Sequence, residues 1–378
     1  MIYLDGAATS PVRRDVLEAM WPYLTGEFGN PSSQHTLGFR AAEALTAARA
    51  AISAQLGCRP SEVVLTSGGT EADNLAIKGI ALGDPRGRHL IISAVEHEAV
   101  RESADYLARH HGFEITVLPV DATGLVSEKA LSDTLRPDTT LVSIIYANNE
   151  IGTVQPIAAL AAVARAAGVP FHTDAVQAAG TLDVSLAALG VDALSISGHK
   201  FGAPKGIGAL AIRARVPLEP LLHGGGQERG NRSGTENVAA AVGLATALSA
   251  EGPADVTTIA AHRDRLIGGV LSAVPEARLT GHPSARLAGH ASFVFPGTSG
   301  ESLLLELEAR GILVSSGSAC AAGNDEPSAT LLALGIAPEE AQTAVRFSFG
   351  AEVSADDVEQ TILAVRDSVA AIRALSPR

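Results

Sequence analysis

The sequence predicts an α/β fold, and three observations carry that prediction. Short apolar runs of three to seven residues alternate with longer stretches of helical period from residue 63 onward, the pattern of a mostly parallel sheet. Several of those runs stop abruptly in glycine and polar residues, at the strand ends where open α/β sheets bind ligands. The chain has 378 residues, 46% hydrophobic and 18% charged, enough for a large core and two domains.

In chain order, Asp5-Gly6-Ala7-Ala8-Thr9-Ser10-Pro11 reads as a turn and Pro11 opens a helix to about Leu24. Gly29–His35 is a loop rich in breakers, and Arg40–Leu56 has helical period. Seven runs then read as strands: Val63–Thr66, His89–Ser93, Ile115–Val117, Leu141–Tyr146, Val169–Thr173, Val191–Ile196 and Gly206–Ile212. Helices are expected over Ala72–Ala81, Ala99–His110 and Ile157–Ala167 between them, and over Val238–Ser249 after them. The glycine-rich segment His223–Glu236 is too polar for a core element, and long loops of this kind are functional. Beyond Glu251-Gly252-Pro253 a smaller α+β domain is expected. Its helices are Val256–Ala273, Glu301–Arg310 and Ser354–Leu375, and its short strands are His290–Phe295, Ile312–Val314 and Val345–Phe349. The expected division is 12–252 for the large domain, with 1–11 and 253–378 forming the small one.

Composition excludes several classes. A net charge of −13 is wrong for a nucleic-acid binder, which needs a basic face. The longest Ala-rich apolar run, Ile157–Val169, contains Arg165 and is too short to span a bilayer. Met1–Asp5 lacks the basic start and apolar core of a targeting segment, so a cytoplasmic protein with no membrane partner is expected. Its two cysteines, Cys58 and Cys320, are then expected as free thiols.

The chemistry begins with Lys200. Lysine is scarce, occurring only at 78, 129, 200 and 205, and Lys200 follows His199 at the end of the Val191–Ile196 run. A lone lysine after a strand is ordinarily a surface residue. Unlike arginine, though, a buried lysine can lose its proton and form an imine with a carbonyl cofactor. Other strand ends supply complementary groups. Ser67-Gly68-Gly69-Thr70 opens a helix, where backbone N–H groups and a hydroxyl suit a phosphate. Asp174, aimed into the crevice, could keep a pyridine nitrogen protonated, with Gln177 a turn further on and Asn149 after a neighbouring strand. His97 offers a flat, titratable ring for stacking and proton transfer. Arg346, in an otherwise apolar strand, is suited to clamp a substrate carboxylate. Cys320 lies among small residues, as an accessible thiol would. Each signal is weak alone; their coincidence at one sheet edge is not.

The motifs Asp5–Thr9, Asn30–Ser33, Thr66–Asn74, Glu96-His97, Asn148–Gly152, Asp174–Gln177, Ser197–Lys200, Arg232–Thr235 and Ser315–Cys320, in that order, resemble the cysteine desulfurases of the NifS/IscS type. These are pyridoxal-phosphate (PLP) enzymes of fold type I, related to the class-V aminotransferases. The resemblance implies a large domain with a mostly parallel seven-stranded sheet sandwiched by helices, plus the smaller α+β domain. It implies that Lys200 holds PLP as an imine, Asp174 pairs with the ring nitrogen, Gln177 bonds the ring oxygen and His97 stacks on the ring. Gly69, Thr70, Ser197 and His199 would hold the phosphate, and Thr235 would reach the phosphate of a neighbouring subunit in a homodimer. Asn149 and Arg346 would bind the carboxylate of L-cysteine. Cys320 would take the substrate sulfur as a persulfide, releasing alanine, and pass it to an acceptor protein such as an iron–sulfur scaffold, or toward tRNA thiolation. A selenocysteine lyase, a small-amino-acid aminotransferase and a catalytically silent scaffold are the alternatives. A metal hydrolase fits poorly, because no clustered ligand spacing accompanies His223.

Overall fold

Strands covered on both faces need apolar side chains on both, and the chain's short buried runs meet that need. The structure, a computed structural model, describes residues 1–249, 256–316 and 326–375. Its strands are β1 (Ile2–Tyr3), β2 (Val63–Thr66), β3 (His89–Ser93), β4 (Glu114–Leu118), β5 (Thr139–Ser143), β6 (Phe171–Asp174), β7 (Ala193–Ser197), β8 (Gly208–Ile212), β9 (Arg278–Leu279), β10 (His290–Val294), β11 (Ile312–Leu313), β12 (Ser315–Ser316) and β13 (Ala344–Ser348). The helices are α1 (Arg14–Thr25), α2 (Thr36–Gln55), α3 (Gly69–Asn74), α4 (Ile80–Gly83), α5 (Glu98–His111), α6 (Glu128–Thr134), α7 (Ile157–Ala166), α8 (Leu186–Leu189), α9 (Val238–Ser249), α10 (Val256–Ala273), α11 (Gly300–Ala309), α12 (Ala329–Ala333), α13 (Pro338–Ala341) and α14 (Ala355–Leu375).

The main sheet has seven strands in the order β2-β8-β7-β6-β5-β3-β4. All are parallel except β8, which runs antiparallel to both β2 and β7. The sheet is therefore mostly parallel and flanked by helices, as expected. Every residue of β3, β5, β6, β7 and β8 is buried, whereas the edge strand β4 leaves Glu114 and Val117 exposed. Gly208 lets β8 lie close to the turn after β2, since a Cβ there would come within 2.7 Å of the Gly68 carbonyl carbon.

Boundaries shift where sequence alone cannot see pairing partners. The expected strand Leu141–Tyr146 is Thr139–Ser143, because its ladder with β3 starts at Thr139. The expected helix Ala72–Ala81 starts earlier, at Gly69, and passes through a π-helical turn, Leu75–Gly79, before α4. α5 starts one residue earlier than expected, with His97 capping it, and ends at Gly112, whose φ of 67° only glycine adopts cheaply.

A second apolar core, containing Phe293, Phe295 and Phe347, lies among α10, α11, α14 and the antiparallel sheet β12-β13-β10-β9. The N-terminus joins it: β1 pairs with β11, Leu4 is in that core, and Asp5 bridges to Ser348. We propose the division into 12–252 and 1–11 with 253–378 on the strength of these separate cores. Between the two, the N-terminal segment passes the end of β7, where Ser10 N–H donates to the His199 carbonyl at 2.9 Å and Arg13 N–H to that of Gly202 at 3.0 Å.

Candidate active site

Parallel strands bring their carboxyl ends to one edge, and the side chains just beyond those ends enclose a cavity of about 300 Å³. Of the predicted residues, Gly69, Thr70, His97, Asn149, Asp174, Gln177, Ser197, His199, Lys200 and Arg346 line it. Thr235 does not: it is exposed on the loop after β8. Cys320 lies outside the described residues. Cys58 packs against the main core with its thiol pushed up to about 11 by burial, which makes it a poor nucleophile.

Lys200 ends a single 3₁₀ turn, Gly198–Lys200, that continues from β7. Its Nζ donates to the Ala7 carbonyl at 2.5 Å and the Ala8 carbonyl at 3.1 Å. Gln177 Nε2 donates to the same Ala7 oxygen at 2.9 Å, while the Ser348 hydroxyl accepts the Ala7 N–H at 2.8 Å. The N-terminal turn is thus a wall of the cavity, fastened to both units. Sequence reading assigned Ala7 and Ala8 no role, because a backbone carbonyl carries no signal in residue type.

Asp174 is the last residue of β6, buried, and its Oδ1 accepts the Val176 N–H at 2.9 Å. Burial raises its pKa, while the charges of His97 and Lys200 and the Val176 N–H act in the opposite direction. His97 Nδ1 accepts the Ala99 N–H at 3.0 Å, which leaves the proton of the neutral ring on Nε2. Burial, then the charges of Lys200 and Lys205, lower His199 to about 4, so that ring is neutral near pH 7, with Nδ1 3.2 Å from the Thr9 hydroxyl. Gly69, the first residue of α3, has no room for a side chain: a Cβ there would sit 2.7 Å from Val176 Cγ2.

Arg346 projects from the centre of β13, 2% exposed, with one Nη donating to the Asn149 carbonyl at 3.0 Å and the other to Asp5 Oδ1 at 2.7 Å. Its Nε is buried with no partner. The charge is thereby held at the cavity wall with hydrogen-bonding capacity left over.

Behind these groups lies a buried polar layer. Asp73, on α3, also lines the cavity. One oxygen each of Asp73 and Asp174 and one His97 ring nitrogen lie within 4.8 Å of one another. Donor type alone would suit a divalent cation, but Lys200 and Arg346 in the same cavity oppose one. Glu96 Oε1 accepts the Ser93 hydroxyl at 2.5 Å and the Ile145 N–H at 2.8 Å, and burial raises its pKa to about 8. His172 lies between the hydroxyls of Ser143 and Ser195, at 2.8 and 3.0 Å, and burial lowers its pKa to about 3. The spacing could have pointed to Asp73, three residues after Thr70 and so on the same helix face. Nothing in the sequence announced that Glu96 and His172 are buried.

The loop after β8 is anchored at two points. Glu228 takes both Nη atoms of Arg49, at 2.6 and 2.7 Å, and the Leu65 N–H of the sheet's edge strand at 3.0 Å. Arg232 pairs with Glu71 at 2.8 Å, beside the start of α3. Glu228 and Arg229 hold left-handed backbone angles, φ 49° and 59°, a strain that these anchors offset.

The sequence profile of the class-V aminotransferases (Aminotransferase class-V) matches residues 2–361. A curated "Cysteine desulfurase IscS" from Methanosarcina thermophila is 46% identical over 380 residues, covering 100% of this chain and 94% of that protein. An "IscS-like cysteine desulfurase" from Mycobacterium tuberculosis is 44% identical over 383 residues, covering 99% and 97%. This chain belongs to the cysteine desulfurases of the class-V aminotransferase family.

Solved structures agree with that membership. A "NifS-like protein" superposes with a TM-score of 0.90 at 35% identity, covering 98% of this chain and 99% of the other. "SspA in complex with cysteine" gives 0.82 at 36% identity over 93% of this chain and 99% of the other. Within the cysteine desulfurase fold, the N-terminal turn, the strand ends of the main sheet and β13 are the elements that enclose the cavity.

Proposed function

We propose that this cysteine desulfurase works with PLP anchored on Lys200, taking sulfur from L-cysteine onto Cys320 and releasing alanine. The observation that carries the reading is the convergence on one cavity of an amine, a buried carboxylate, an imidazole, a glycine at a helix start and an arginine from the second unit. The donor set fits PLP. Lys200 can take its carbonyl carbon, Asp174 its ring nitrogen, Gln177 its ring hydroxyl and His97 its face, with Gly69, Thr70, Ser197 and His199 left for its phosphate. Gly69 opens α3 at the cavity, where the backbone N–H groups of a helix start suit that phosphate. Bound there, PLP supplies an electron sink for the pair displaced at the substrate carbon.

The chain's own groups do the rest. Arg346 and Asn149 bind the substrate carboxylate, the Arg346 charge staying in place because Asp5 and the Asn149 carbonyl hold it. His97, whose Nδ1 is taken by the Ala99 N–H, is the ring in the cavity suited to move a proton through Nε2. The Cys320 thiolate attacks the substrate sulfur; a sulfur–sulfur bond forms, the carbon–sulfur bond breaks, and protonation at carbon yields alanine. The persulfide sulfur then passes to an acceptor protein, for which an iron–sulfur scaffold or a tRNA-thiolation partner is the expected kind.

We also read the working form as a homodimer in which Thr235 reaches the neighbouring site. Supporting this, Leu17, Trp21, Leu24, Phe28 and Phe39 are 53–67% exposed on and beside α1 and α2, more apolar surface than a free face carries. The exposed Thr235 loop is also pre-anchored by Glu228 and Arg232. Among the described residues no helix is long and apolar enough to cross a membrane.

The test is spectroscopic and chemical. The purified protein should show the cofactor band near about 400 nm and convert L-cysteine to alanine without an added keto acid, which separates it from an aminotransferase. Lys200→Ala should lose the band. Cys320→Ala should keep it while losing at least about a hundredfold in sulfur release. Native-rate sulfur release by Cys320→Ala would refute the assignment of that thiol.

A further inference from the structure

Asp73 plays no part in the chemistry above, yet it sits where an anion should not. It is the fifth residue of α3, 1% exposed, and its Oδ1 has no hydrogen-bond partner. That oxygen lies 3.8 Å from His172 Nε2, which already shares a hydrogen bond with Ser195. Glu96, from the turn after β3, is the third carboxyl in this buried layer, and its Oε2 is also without a partner. Three buried carboxyls acting on one another cannot all be ionised.

Partners decide which one keeps its charge. Asp174 has a backbone N–H, the His97 ring and the Lys200 amine on its side. Asp73 has less: the His97 ring nitrogen lies within 4.8 Å of Asp73 and Asp174 alike but Asp73 Oδ1 takes no hydrogen bond, the His172 ring from β6 is held neutral by burial, Ser195 from β7 offers only a hydroxyl, and the Asp174 charge repels a second anion. Burial first, then the charge of Asp174, drives the Asp73 pKa well above the carboxylate range.

We propose that Asp73 is a positioning residue held as a neutral carboxylic acid, so that Asp174 alone presents negative charge to the ring nitrogen. This rests on the reading of Asp174 as the partner of that nitrogen. The neutral acid fills the space under Asp174 without adding the second charge that would drive Asp174 to take up a proton. With Asp73 as an anion, Asp174 and Asp73 would share one proton, and the ring nitrogen would meet a mixture of charged and neutral carboxyls.

The experiment uses the full-length protein with ¹³C-labelled aspartate. Infrared spectra at neutral pH should contain a band from a protonated carboxyl, and Asp73→Asn should remove it. PLP binding to the cofactor-stripped chain, followed by fluorescence, should change less than about threefold in Asp73→Asn. An anion at Asp73 would instead make that change on the order of a hundredfold, from a unit charge within 4.8 Å of the Asp174 carboxylate at an effective dielectric of about 20. The pH at which the visible band titrates should also stay put in Asp73→Asn. Absence of the infrared band, or a change in PLP binding beyond about tenfold, overturns the proposal. Should Asp73→Asn not fold, Ser195→Ala must shift the same band, since it removes the hydroxyl beside Asp73; an unmoved band overturns the assignment. Asp174→Asn separates the two readings: if it binds PLP with native affinity and spectrum, the ring-nitrogen role fails, whereas the infrared result reports on Asp73 alone.

Discussion

Replacing Glu96 with Gln should remove one large pH-dependent loss of stability. Glu96 is buried, its Oε1 bonded to the Ser93 hydroxyl and the Ile145 N–H and its Oε2 bonded to nothing. Burial, reinforced by the charge of Asp174, raises its pKa from 4.5 to about 8 despite those two bonds. Between those values the folded chain holds a proton that the unfolded chain has released. Stability therefore falls as pH rises, by about 1.4 kcal/mol per pH unit. Over the whole window, from 4.5 to about 8, the loss comes to about 5 kcal/mol. That is a large fraction of what holds a typical domain folded. Glutamine keeps the Oε1 acceptor and puts an amide where the acid carries its proton, so it mimics the neutral form at every pH. Urea unfolding of both proteins from about pH 5 to about pH 9 should give nearly equal midpoints at the acid end. Toward the alkaline end Glu96→Gln should gain steadily on wild type, because titrations common to both cancel in the difference. Two parallel pH profiles would refute the reasoning, since they would mean that Glu96 titrates alike in both states.

Two further outcomes follow from the geometry. Arg346→Ala should raise KM for cysteine by about 10- to 100-fold, the worth of a charge-assisted pair, with kcat less affected; a fall in kcat at unchanged KM would remove Arg346 from carboxylate binding. Trp21→Glu should place a charge in the exposed apolar face on α1, where the indole is 67% exposed, and sedimentation should show dimers for wild type and monomers for the variant; the same mass for both would put the subunit contact elsewhere.

The sheet and much of the cavity lining were legible in the chain because strands buried on both faces must be short, apolar and sharply terminated. Lys200, Asp174, His97 and Asn149 follow such runs directly, so their place at one edge followed from topology. The exact ends did not follow: Leu141–Tyr146 looks like one strand, but pairing with β3 shifts it to Thr139–Ser143. Arg346 was legible as a charge stranded in an apolar strand, though not its grip on Asp5, 341 residues away.

By itself the sequence determined the α/β architecture, the position of Lys200 at a strand end and the chemical types of most groups around it, because those depend on local periodicity and residue identity. Only the tertiary structure decided that the Ala7 and Ala8 carbonyls hold the lysine, that Glu96 and His172 are buried beneath the site, and that Asp73 Oδ1 is buried there without a hydrogen-bond partner. Burial and pairing set the charge state of an ionisable group, and both depend on segments that meet only when the chain folds.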